Sequence, residues 1–211
     1  AATLPVGADT SNTDPNVDGD EDPTRIIIEG PPPNALIKTE TQATATIGET
    51  FIYRVTVPSV PHTSPLYDVR ILDDLLASAA DLEFVSVSRV AGRGAWVPSN
   101  TGTVTNLVIE DPVRGIDIPA GEQAVIDVAV RLQDTPTNIA GLVFTNTAAY
   151  TYNLTDDDDA TRRAGDPGAS GPMTVVEPEL TLEKGGPLNM RVGVAETFTL
   201  NVHNIGDSPA W

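Results

Sequence analysis

The chain has 211 residues, enough for one or two domains, and carries 12 basic against 30 acidic side chains, a formal charge of −18. That balance argues against DNA or RNA as a partner, since phosphate contact needs a basic surface, and suits divalent cations or solubility in salt. With no cysteine, zinc-thiolate, redox-pair and cysteine-nucleophile chemistry are excluded, and no apolar run reaches the length that direct membrane insertion requires.

Taken from the start, residues 1–33 are polar and acidic and read as a linker or as the tail of a preceding repeat. The opening "AATLPVGADTSN" lacks the basic and apolar parts of a signal peptide, as expected if a signal has been removed or the chain is a piece of a longer one. Within this segment, "DPNVDGDED" sets Asp14, Asn16, Asp18, Gly19, Asp20 and Asp22 at the spacing of a calcium loop. Alternate oxygen ligands suit a hard ion, and the glycine permits the sharp turn. Arg25 stands where the loop would carry a bidentate glutamate, and no flanking helix is evident, so the alternatives are a linker calcium site and a merely solvated acidic linker.

From Arg25 onward short β-prone runs follow one another: "RIII", "ALIKT", "ETFIYRVTV", "LYDVRILDD", "LEFVSVSRV", "TNLVIED", "AVIDVAVRL" and "LVFTNTAAYTY", most of them punctuated by proline or glycine. The pattern predicts an all-β protein, an immunoglobulin-like β-sandwich, with one helical turn in "DDLLASAADL", Asp73 to Leu82. In "ETFIYRVTV" the residues Phe51, Tyr53, Val55 and Val57 share one face, as in a strand buried on one side. By the same count Leu36 and Lys38 share a face, which sets a lysine where an apolar residue is expected.

Two further strands carry polar residues on their apolar faces. Asp73 aligns with Val69 and Ile71, and Asn146 with Leu142, Phe144, Ala148 and Tyr150. An isolated charge on such a face costs several kcal/mol, and a lysine and a carboxylate placed together relieve part of that. Past these strands "TDDDDAT" offers Asp156 to Asp159 as a second, less well spaced acidic cluster, and residues 156–178 read as an acidic, Gly/Pro-rich linker. "NLT", Asn153 to Thr155, is a glycosylation triplet. Trp96, in the Gly-rich "GRGAWVPSN", is either a ligand-stacking residue on an exposed binding loop or a side chain packed on the sandwich edge. His62 and His203 are the only histidines and stand beside proline or turn residues, which argues against a catalytic triad or a His-based metal site.

The end of the chain replays its first third. "IGETFIYRVTV" and "VAETFTLNVHN" align at Glu49 and Glu196, and Lys184 corresponds to Lys38 after a one-residue gap. Residues 34–155 are therefore expected to form one complete module and residues 179–211 the first strands of another, in a tandem array whose partners are neighbouring repeats of the same protein or a homopolymer.

The run "KTETQATATIGETFIYRVTVPSVPHTSPLYDVRILDDL", with the later "FTNTAAYTY", resembles the isopeptide-forming fimbrial domain and the related tandem repeats of large bacterial and archaeal surface proteins. The resemblance covers roughly residues 35–153. It implies an immunoglobulin-like sandwich, export to the cell surface, and a non-enzymatic role as stalk or spacer in an adhesin, pilus or surface layer. It also implies a covalent bond from Lys38 to Asn146, assisted by Asp73 or its neighbour Asp74. An apolar surrounding would supply a neutral lysine amine, and a protonated aspartate would polarise the amide carbonyl. Many relatives keep such a lysine and asparagine unreacted, with the lysine reaching the rim and the asparagine capping a turn. Two other functions stay open: a filament built by strand exchange between chains, and an adhesin module gripping carbohydrate, ice or a host surface through loops.

Overall fold

The computed structural model describes residues 34–210. The strand expected at Arg25 to Ile28 and the calcium-loop candidates Asp14, Asn16, Asp18, Asp20 and Asp22 lie outside the described residues.

Fourteen strands are described, in the order β1 (Ile37–Glu40), β2 (Thr44–Thr46), β3 (Thr50–Val57), β4 (Tyr67–Asp74), β5 (Leu82–Ala91), β6 (Ser99–Asn100), β7 (Asn106–Glu110), β8 (Ala124–Leu132), β9 (Val143–Phe144), β10 (Thr147–Asn153), β11 (Arg162–Ala169), β12 (Met173–Val176), β13 (Leu180–Gly185) and β14 (Thr199–Asn204). They form an immunoglobulin-like β-sandwich: a sheet ordered β1-β3-β8-β5 and a sheet ordered β11-β10-β4-β7-β6. A small sheet, β2-β12-β9, holds β2 parallel to β12, and β13 and β14 pair as a hairpin.

Period-two patterning explains the architecture. In β8 every second residue from Ala124 to Leu132 is buried, and β3 buries Phe51, Tyr53, Val55 and Val57. The other sheet contributes Val69 and Ile71 from β4, Leu107 and Ile109 from β7, and Ala148, Tyr150 and Tyr152 from β10 to the same core. Polar pairs occupy the outer face, where Arg54 donates from Nε and Nη2 to Asp127, its cross-strand partner, at 2.8 Å each. Gly48, at φ +78°, makes the left-handed turn from β2 into β3.

Three expectations are corrected. Residues 156–178 are not a linker: β11 pairs along β10 and β12 along β2 and β9, with Met173 and Val175 fully buried. "RRAGDPGA" lacks apolar alternation because it is a sheet-edge strand whose glycines admit neighbours, and a Cβ on Gly165 would lie 2.1 Å from the Tyr150 ring. The helical turn at Asp73–Leu82 shrinks to a 3-10 turn at Leu75–Ala77, since Asp73 and Asp74 still belong to β4. Finally, "LVFTNTAAYTY" is two strands, β9 and β10, broken at Thr145 and Asn146 where the chain passes from one sheet to another.

The repeat is visible in the hairpin, but its register differs from the alignment. Lys38 stands opposite Val55, whereas the residue opposite the matching Val202 is Leu182. Lys184 faces Leu200, the counterpart of Tyr53, where β1 has Glu40. Lys184 is thus two residues along the same face, its Nζ 4.5 Å from the Phe198 ring centroid, and exposed.

Candidate functional site

Leu36 and Lys38 do share a face, and that face is the core. Lys38 is 2% exposed, while Ile37 between them is 43% exposed. The lysine lies inside because β1 pairs with β3 in the register that sets it beside Tyr53 and Val55, and its Nζ sits 4.4 Å from the Tyr53 ring centroid.

Across the sandwich β4 presents Asp73, also 2% exposed, from the face that carries Val69 and Ile71. Its Oδ2 accepts from Lys38 Nζ, and its Oδ1 accepts from Asn146 Nδ2 at 2.9 Å. Asn146, 1% exposed, precedes β10, and its backbone is pinned on both sides by Ser170: Asn146 N donates to Ser170 Oγ at 3.0 Å and Ser170 N donates to Asn146 O at 2.9 Å. The structure therefore brings Lys38, Asp73 and Asn146 together, with the carboxylate as bridge.

Asp74 stands apart. It is exposed and caps the 3-10 turn, accepting from Leu76 N at 3.1 Å.

Burial governs the electrostatics. Desolvation pushes the Lys38 amine below the ordinary lysine range, against the opposing pull of the Asp73 charge and its hydrogen bond. The Tyr53 hydroxyl is pushed upward, first by burial and then by the charge of Asp73. One amide oxygen here is buried without a hydrogen bond, Asn146 Oδ1. An orphaned amide oxygen in a core costs about 1–3 kcal/mol, so this trio is held in an unrelaxed arrangement by its packing.

The amide contact differs from the sequence expectation, which set the acid against the carbonyl. Asp73 instead faces the amide nitrogen, the atom that would leave in a condensation. The bridging runs between sheets, from β1 to the segment leading into β10.

Other sequence candidates fall elsewhere. Trp96 is 3% exposed, donates from Nε1 to Arg93 O at 2.8 Å, and lies under the Arg89 guanidinium at 4.4 Å. It is a core anchor for its loop and offers no exposed stacking face. Asp156 to Asp159 lie in the β10–β11 turn, where Asp158 caps a 3-10 turn at Asp159–Thr161 and Asp159 pairs with Arg162. Asn153 is 1% exposed and held between Asp68 and Asp159, so the folded chain does not offer this sequon for glycosylation. Asp68 and Asp117, which lie beside Asp156, carried no sequence signal because they are isolated aspartates 49 residues apart that only the fold unites.

No protein-family model matches the chain, and no curated protein matches it. Among solved structures it is similar to a cohesin module from a family 33 glycoside hydrolase of Clostridium perfringens, at 6% identity and a TM-score of 0.42 over 69% of this chain and 98% of that one. It is also similar to the full-length major pilin SpaD of Corynebacterium diphtheriae, at 14% identity and a TM-score of 0.43 over 80% of this chain and 48% of the pilin. A third, the major pilin subunit BcpA of Bacillus cereus, is similar at 11% identity and a TM-score of 0.40, over 83% and 56%.

Proposed function

We propose that this chain is a structural module of an extracellular bacterial surface protein, a stalk or spacer whose two sheets are joined by a Lys38–Asn146 isopeptide bond. The observation that carries the reading is the buried trio, in which one carboxylate bridges an amine and an amide within an apolar core. A lysine at the bottom of a sandwich has no packing rationale that a leucine would not serve better.

The chemistry balances without a co-reactant. Lys38 passes a proton to Asp73 and becomes a neutral amine, favoured by its burial. Its nitrogen attacks Cγ of Asn146 and forms the new C–N bond. Asp73, already against the amide nitrogen, delivers that proton to it, the Cγ–Nδ2 bond breaks and ammonia departs, and the emptied Asp73 carboxylate takes the excess proton of the attacking nitrogen and ends protonated. The event occurs once per molecule, as maturation and not as turnover.

Intact mass tests this directly. The reacted protein is lighter than its sequence by one ammonia, and Lys38→Met, Asp73→Ala and Asn146→Ala each restore the full mass. A wild-type protein of unreduced mass would rule the bond out.

A second reading is favoured by the hairpin. Leu182 and Val202 stay 65% and 63% exposed, although the matching strands of the first module are covered by a facing sheet. Strands from a neighbouring copy would cover that face and build a filament. Concentration-dependent assembly in light scattering, lost with Leu182→Ser and Val202→Ser, is the expected outcome; a monomer at all concentrations would refute it.

A further inference from the structure

We propose that Ser170 and Glu40 are positioning residues for the Lys38–Asn146 bond, holding amine and amide together through the turn between β11 and β12; the inference rests on the reading of the trio given above. Asn146 stands in the break between β9 and β10, outside the paired strands. Its buried N–H and C=O still need partners, and Ser170 supplies both, through Oγ at 3.0 Å and N at 2.9 Å. The two residues meet one position beyond the Thr147–Ala169 pair of β10 and β11. There the serine hydroxyl takes the place that a strand carbonyl would hold, so a side chain without one leaves the Asn146 N–H buried and unpaired.

The same turn reaches the other reactant. Gly171 N donates to Glu40 Oε2 at 2.7 Å, and Glu40 lies two residues along β1 from Lys38. A Cβ on Gly171 would lie 2.3 Å from Glu40 Oε1, so glycine is what lets the carboxylate close on the turn. Ser170 is buried and Glu40 half-buried. Tyr53, the cross-strand partner of Glu40, sets its ring beside Lys38 Nζ and its hydroxyl beside Ser170. Two consecutive residues of one turn thus hold the strand of the nucleophile and the backbone of the electrophile.

The bonds to Asn146 and Gly171 end on backbone atoms, so they act on distance and not on proton transfer. With its backbone fixed, Asn146 keeps only its side-chain torsions, and Asp73 restrains the amide. Misplacing reacting groups by about 1 Å can cost roughly 100-fold in rate. Ser170 comes 24 residues after Asn146, so the trio is complete along the chain before its support is. The bond then forms only once β11 and β12 have docked and Met173 and Val175 are buried, as the last step of the module's folding.

The test makes the 211-residue protein by cell-free synthesis, samples it at intervals and reads the fraction lighter by one ammonia from intact mass. Ser170→Ala should fold, with wild-type circular dichroism and a cooperative melt, yet form the bond at least about tenfold more slowly. Ser170→Thr, which keeps the hydroxyl, should recover the rate. Glu40→Ala should also slow the reaction, and Glu40→Gln, which still accepts from Gly171 N, should not; this pair decides alone if Ser170→Ala does not fold. Across pH, the Ser170→Ala rate should keep the wild-type profile at a lower level, because positioning leaves the ionising groups unchanged. Ile118→Ala, a core truncation beside the start of β4, is the comparison for lost stability and should melt lower than Ser170→Ala while reacting faster. A wild-type protein of unreduced mass would overturn the bond and this inference with it. A reacting wild type with Ser170→Ala and Glu40→Ala keeping pace, or slowed no more than Ile118→Ala, would overturn the inference alone.

Discussion

Lys38 shows how one side chain can be read twice. As a charged group it is a defect, desolvated and dependent on Asp73, and removing one member of such a buried pair costs about 3–5 kcal/mol. Measured against Asn146→Ala, in which the pair is present and the bond cannot form, Lys38→Met is therefore expected to be less stable by that order in denaturant unfolding, and adding Asp73→Leu to Lys38→Met should recover most of that difference. As the nucleophile proposed above, the same lysine would be favoured by its burial, which lowers its affinity for a proton. In Asn146→Ala, where the amine stays free, the folded-state pKa is lowered, so the unfolded chain binds more protons between the two values and stability rises as pH rises toward the ordinary lysine range. Wild-type protein carrying the bond should lack that rise, because an amide nitrogen does not titrate. Urea unfolding across alkaline pH distinguishes the two. Trp96 belongs to the same scale: Trp96→Ala empties a core position and should cost about 3–5 kcal/mol.

Among the elements, β4 is the one on which the module turns. Its apolar face supplies Val69 and Ile71 to the core and ends in Asp73, while its second residue, Asp68, is in a left-handed conformation at φ +48° that aspartate tolerates. A bond from β1 to the approach of β10 would close a loop of roughly 100 residues, and the chain-entropy treatment of a cross-link of that size gives about 4–5 kcal/mol. Asn146→Ala should therefore lower the melting temperature well beyond the effect of an asparagine-to-alanine change alone, by an amount that calorimetry resolves. Such a strap would join facing sheets, so that pulling the sheets apart would require breaking it. Edge strand β11 depends on a different device, since Gly165 leaves the space in which the Tyr150 ring lies. Gly165→Val is expected to peel β11 away, seen as lost amide protection in hydrogen exchange along 162–169.

For the molecule as a whole, the module boundary is the testable matter. Ending the chain after residue 155 would remove β11 and β12, uncovering Tyr150 and Ala45 and taking away the buried Met173 and Val175. A 1–155 chain should fail to fold cooperatively, and a 1–178 chain should melt as the full protein's sandwich does, both followed by circular dichroism. The acidic surface, formal charge −18, implies in addition that salt screens a self-repelling surface and raises the melting temperature of the metal-free protein.

What the sequence determined by itself was set by local periodicity: alternation in β3, β4 and β8 specifies strands with one buried face, and the same alternation exposes Lys38, Asp73 and Asn146 as polar residues on that face. The repeat in the last third was legible for the same reason, because a copied strand keeps its pattern. Tertiary structure alone decided the rest. Strand β11, rich in glycine and arginine, has no apolar signature, since its place comes from a neighbour's tyrosine and its partner's backbone. The register of the hairpin, the choice of Asp73 over Asp74, the burial of Trp96, and the meeting of Asp68, Asp117 and Asp156 all depend on which distant segments pair. Pairing is a property of the assembled sheets, and no short window of sequence encodes it.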